Sequence, residues 1–118
     1  MDGSTNAMAP SYKVYIATSP ATGLSITQQQ IVRSGNIITM NCELYNTAQI
    51  AGYTTLFTIP PGTRPEAYLF CSATCLATDK ASMPIQIKPD GTVLSPWNFT
   101  GGNYYFELNV TYVVKETA

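Results

Sequence analysis

Apolar and polar residues alternate along most of the chain with a period of two. That is the repeat of a strand, whose side chains project in turn to opposite faces. The longest such run covers 103–115. Tyr104, Phe106, Leu108, Val110, Tyr112 and Val114 fall on one side, and Tyr105, Glu107, Asn109, Thr111 and Lys115 on the other. On a helix these positions would scatter around the axis. Between 36 and 45, Ile38, Met40, Cys42 and Leu44 share one face, while Thr39, Asn41 and Glu43 share the other. This is the pattern of a half-buried strand.

Turn formers punctuate these runs: Ser-Pro-Ala-Thr-Gly (19–23), Ser-Gly-Asn (34–36), Ala-Gly (51–52), Pro-Pro-Gly (60–62), Pro-Asp-Gly (89–91) and Gly-Gly-Asn (101–103). Pro89-Asp90-Gly91 joins Ile85-Gln86-Ile87 to Thr92-Val93-Leu94 and predicts a hairpin. Strands are expected at 12–18, 24–33, 36–45, 53–59, 66–73, 83–88, 91–95 and 103–114. Gln28-Gln29-Gln30 stays in a strand because Ile26, Thr27, Ile31 and Val32 surround it. About eight short strands with no significant helix predict an all-β fold, an antiparallel β-sandwich of jelly-roll-like kind. The chain of 118 residues reads as a single β-sandwich domain over 10–118. Residues 1–9 are read as an expression leader or disordered tail, with Met8 as a candidate natural start.

Composition removes several functions. Charged residues make up 11% of the chain, against about 25% in an average soluble domain. The net charge is −1 and no basic patch is present, so no nucleic-acid partner is expected. No apolar stretch approaches the roughly 20 residues of a membrane helix, so no membrane insertion is expected. The absence of histidine removes Ser-His-Asp and Cys-His chemistry and most catalytic zinc sites. The acidic residues are dispersed, and no calcium loop or paired-carboxylate motif is visible. A hydrolase would have to draw on seven scattered carboxylates, two of them (Asp2 and Glu116) in the tails, with Glu43, Glu66 and Glu107 as the ones to mutate. Cys42, Cys71 and Cys75 are too few for a zinc site without histidine. They read as small buried thiols, or Cys71 and Cys75 bridge across a turn. The chain is therefore expected to be non-enzymatic, without cofactor or metal.

Four places are candidate binding residues. Trp97 lies in the turn-rich Ser95-Pro96-Trp97-Asn98-Phe99. It is either a hydrophobic plug under a loop or a flat platform for a sugar ring. Alternation turns Tyr105 outward. Arg64 either hydrogen-bonds loop carbonyls or makes a ligand or inter-subunit contact. Asp79 and Lys80 form a loop pair that is either solvated or part of a site.

Pieces of the sequence also occur in a recognisable order. Arg33-Ser34-Gly35-Asn36-Ile37-Ile38 is followed by Phe57-Thr58-Ile59-Pro60-Pro61-Gly62-Thr63-Arg64-Pro65, then Ile85-Gln86-Ile87-Lys88-Pro89-Asp90-Gly91-Thr92-Val93, then a closing strand over 103–114. Over residues 24–114 this set resembles the C-terminal β-sandwich, receptor-binding-like domains of phage or prophage tail-tip, baseplate and tail-fibre proteins. Thr63 departs from the pattern, where that family usually has an aromatic residue. The resemblance implies a structural or receptor-binding role in a phage tail. The implied partners are a host cell-surface saccharide or other tail proteins. It implies a virion protein produced in the bacterial cytoplasm, and a homotrimer with Tyr12, Tyr15 and the outward face of 103–114 as contacts. The alternative is a bacterial surface adhesin-like carbohydrate-binding β-sandwich of another lineage.

Overall fold

The structure, a computed structural model, describes residues 12–18, 20–76, 82–98 and 104–114. Its strands are β1 (Tyr12–Tyr15), β2 (Leu24–Ser34), β3 (Ile37–Asn46), β4 (Thr55–Thr58), β5 (Leu69–Cys75), β6 (Ser82–Ile87), β7 (Thr92–Leu94) and β8 (Tyr104–Val113). The all-β class and the number of strands agree with the alternation, and no helix occurs among the described residues. All eight strands belong to one sheet in the order β1-β2-β3-β8-β5-β6-β7-β4, with every pair antiparallel.

This single sheet curls so that its two ends approach each other. Strand β1 is shorter than expected and ends at Tyr15. The Ala17 N–H then donates to Gln29 Oε1 at 2.7 Å, so a side chain replaces the next ladder partner. Thr18 crosses to Thr58 of β4, and the two exchange backbone hydrogen bonds of 2.9 Å. Strands β1 and β4 are the two ends of the sheet, so this bridge joins them and covers part of each edge.

The enclosed face carries the core. Ile38, Met40, Cys42 and Leu44 on β3 are buried, as are Phe106, Leu108 and Tyr112 on β8, with the residues between them at or near the surface. The alternation read from both runs therefore gives the observed register. Strand β2 needs one correction to its period. Its register against β3 shifts between Ile26 and Gln28, leaving Thr27 as an inserted residue. Before the insertion Leu24 and Ile26 face inward, and after it Gln29 and Ile31 do. A bulge adds one residue and reverses the faces beyond it. Ile31 is thereby fully buried, and Gln28 and Gln30 reach the outer face.

Two further departures follow from local chemistry. Strand β5 starts at Leu69 rather than 66, because Pro65 instead bridges Val114 beyond β8. Cys71 and Cys75 both lie on β5, four residues apart on an extended strand, and no turn separates them. Their α-carbons are then about 13 Å apart, where a disulfide needs about 4–7 Å. Both are free thiols, as is Cys42.

The Pro60-Pro61-Gly62 bend ends β4 as expected, since proline cannot donate to a ladder. The bend is tied from three sides. Ile59 N–H donates to Gly91 O at 2.9 Å, and Arg33 donates to Gly62 O at 3.2 Å. The Tyr112 hydroxyl donates to Thr63 O from within the core. Thr63 itself is buried, and its hydroxyl donates to Pro60 O at 2.7 Å. A small hydroxyl side chain therefore closes the bend internally at this position.

Candidate functional site

The polar outer face of β2, β3 and β8 holds a shallow open groove. Cross-strand pairing stacks its residues in rows: Gln30, Asn41 and Asn109 in one, Gln28, Glu43 and Glu107 in the next. These six residues, with Gln29 and Cys42 between them, line a depression of about 560 Å³, within the usual size of ligand sites. The next row along the same face pairs Tyr45 with Tyr105, their ring centroids 4.6 Å apart at 43°. Amides offer both donors and acceptors, and carboxylates accept from paired hydroxyls. An aromatic pair at one end adds a flat apolar surface. This is the chemistry that recognises a polyhydroxylated ligand.

Strand pairing alone sets Glu43 directly opposite Glu107. Like charges opposed across two strands are unfavourable. The Thr27 bulge supports one of them, its hydroxyl lying 2.8 Å from Glu43 Oε1 and 3.0 Å from Glu43 O. Glu66 is exposed between the bend and β5 and does not line the groove. No group of three or more metal-ligating side chains occurs among the described residues.

The residues singled out from sequence are spread over the molecule. Tyr105 is exposed on the groove face. Trp97 is 59% exposed beyond β7, so it is not a plug. Arg64 is half-buried, its Nε–H donating to Ile59 O at 3.1 Å, and it packs on Gly91. It holds the bend and does not join the groove. Asp79 and Lys80 lie outside the described residues. Of the two β1 tyrosines, Tyr12 is exposed and Tyr15 packs on the core. Sequence reading missed Gln28, Gln30, Asn41 and Asn109 as a set. Their common face could have been suspected from alternation in β3 and β8, but the β2 contribution depends on the bulge.

Cys42 borders the groove from β3, but its side chain belongs to the buried core. Burial pushes Cys42 and Cys71 up to about 11 from an ordinary value near 9. Burial likewise raises the Tyr112 hydroxyl. The unfolded chain then releases these protons at lower pH than the native one. Above pH 9 the unfolded state binds fewer protons, so stability falls as pH rises. We expect the urea midpoint to decline progressively from about pH 9 through 11, with no contribution from these thiols below that window. A midpoint unchanged between pH 8 and 11 would contradict the burial of both thiols.

No protein-family model matches this chain, and no curated protein matches it.

Proposed function

We propose that this chain is a non-enzymatic binding domain of the phage or prophage tail kind, which contacts a host-surface saccharide through the outer face of β2, β3 and β8. The observation that carries this reading is the groove of amide and carboxylate side chains ending on the Tyr45–Tyr105 pair. The order of sequence motifs over 24–114 supports the tail assignment. The homotrimer implied by that resemblance has a surface to use. Tyr12, Ile37 and Val113 are exposed and lie in one cross-strand row with Ser34, at the far end of the groove's own face.

Binding of the full chain to an array of host cell-wall polysaccharides tests the reading. Saturable binding is expected, reduced at least tenfold by Glu43→Gln or Asn109→Ala. Failure to bind any host polysaccharide or tail partner would remove the proposal. Polysaccharide cleavage that disappears in Glu43→Gln and Glu107→Gln would overturn its non-enzymatic part. Light scattering at micromolar concentration checks the assembly, for which three times 12.8 kDa is expected. A mass near 12.8 kDa would refute the trimer for this chain.

A further inference from the structure

Two loops meet at one end of the sheet. One enters β4 and the other leaves β7, and Thr55 pairs with Leu94 where they begin. The loops are fastened to each other by one backbone pair and one side chain, and each is braced by a bond within itself. Tyr53 N–H donates to Ser95 O at 2.7 Å, and Gly52 N–H donates to Asn98 Oδ1 at 2.8 Å. Trp97 N–H donates to Ser95 Oγ at 3.1 Å, and Thr54 N–H donates to Ala51 O at 3.2 Å. Gly52 leaves no room for a side chain, since a Cβ there would sit 2.5 Å from Pro96 O.

This fastening presents two large rings to solvent. Tyr53 is 69% exposed and Trp97 is 59% exposed. Tyr53 is also the one non-glycine among the described residues with positive φ, at 66°. A bulky residue in the left-handed region is a true outlier, and such strain persists only where the surroundings impose it. Neither the strain nor the exposed rings contribute burial to the fold. Both are explained if the loop pair exists to hold the rings in place.

We propose that Tyr53 and Trp97 form a preorganised aromatic platform that stacks against a neutral sugar ring. The inference rests on the saccharide reading above only for the class of ligand, because the residues and strands are different. Flat rings meet the C–H face of a sugar, and fixed loops limit the ordering lost on binding. No Asp, Glu, Lys or Arg occurs over 47–58 or 92–98, which selects an uncharged ligand. Asn98 is anchored through its carbonyl, so its NH2 group remains a donor for a hydroxyl.

Trp97 is the sole tryptophan, so its emission reports this site alone. The full chain is titrated with oligomers of glucose, galactose and N-acetylglucosamine, and with oligogalacturonate as the charged counterpart. A saturable change in emission is expected with a neutral oligomer. Tyr53→Gly should weaken it at least tenfold without lowering the thermal midpoint, because glycine accepts the observed φ. The proposal is overturned by no response to any neutral oligomer, by a response to oligogalacturonate alone, or by full binding in Tyr53→Gly. Array binding that persists in Trp97→Ala but is lost in Glu43→Gln would end this inference and leave the groove reading intact. A Trp97 response together with array binding that Glu43→Gln and Asn109→Ala leave untouched would do the reverse.

Discussion

Phe106→Ala is expected to lower the unfolding free energy by about 3–5 kcal/mol, the usual loss for emptying a buried aromatic site. Phe106 is 1% exposed. It pairs with Leu44 on β3 and with Cys75 on β5, and both of these residues are buried. The cavity would open where three strands meet, and curled walls on either side limit collapse. Leu108→Ala belongs to the same class, since Leu108 pairs with Cys42 and Ala73 on those strands. Glu107 and Thr111 occupy the opposite face and are exposed. Their replacement by alanine should cost under about 0.5 kcal/mol. Glu107→Gln should leave stability unchanged or raise it, because Glu43 stands opposite. Urea denaturation of the five variants decides the matter. Equal losses on both faces would mean that β8 is out of register by one residue.

Gly91→Ala should cost about 3 kcal/mol, as the sum of a backbone and a packing penalty. Gly91 has φ of 93°, where an L side chain meets its own backbone. A Cβ there would also lie 2.5 Å from Ile59 O and 2.5 Å from Arg64 Nε. Ile59 O cannot withdraw easily, because Ile59 N–H is bound to Gly91 O and Arg64 Nε–H to Ile59 O itself. Gly35→Ala supplies the contrast. It has φ of 61° and nothing within 4 Å of a Cβ. It should show only the backbone part, about 1–2 kcal/mol. Similar urea midpoints for the two variants would show that the contact between the bend and the β6–β7 turn does not constrain Gly91.

Much of this architecture was legible because its signals are local. Pro89-Asp90-Gly91 specified a hairpin, and the turn forms with the Asp90 carboxylate accepting the Thr92 N–H at 2.9 Å. That bond holds the Asp90 carboxyl below its usual pKa. The alternation in β3 and β8 named their buried faces correctly. The site was less legible. Trp97 stood out as a lone tryptophan in a turn, and its exposure is not that of a plug. Tyr53 gave no signal, because nothing in Ala51-Gly52-Tyr53-Thr54 announces that the tyrosine, not the glycine, takes the left-handed conformation. Arg64 could be read either way from sequence, and only the position of Gly91 and Ile59 shows it strapping the bend.

The sequence by itself determined the all-β class, the positions of the strands to within a few residues and the inward faces of β3 and β8. Those properties depend on side-chain period and on turn chemistry, which act over neighbouring residues. Tertiary structure decided what neighbouring residues cannot. It joined eight strands into one sheet and brought its ends together at Thr18 and Thr58. It placed an extra residue at Thr27, reversing the faces of β2 and carrying Gln28 and Gln30 to the groove. It set Glu43 against Glu107 and Tyr53 beside the Trp97 loop. Each of these depends on pairing between segments far apart in the chain, where register is chosen by the fit of the whole core rather than by the strand's own pattern.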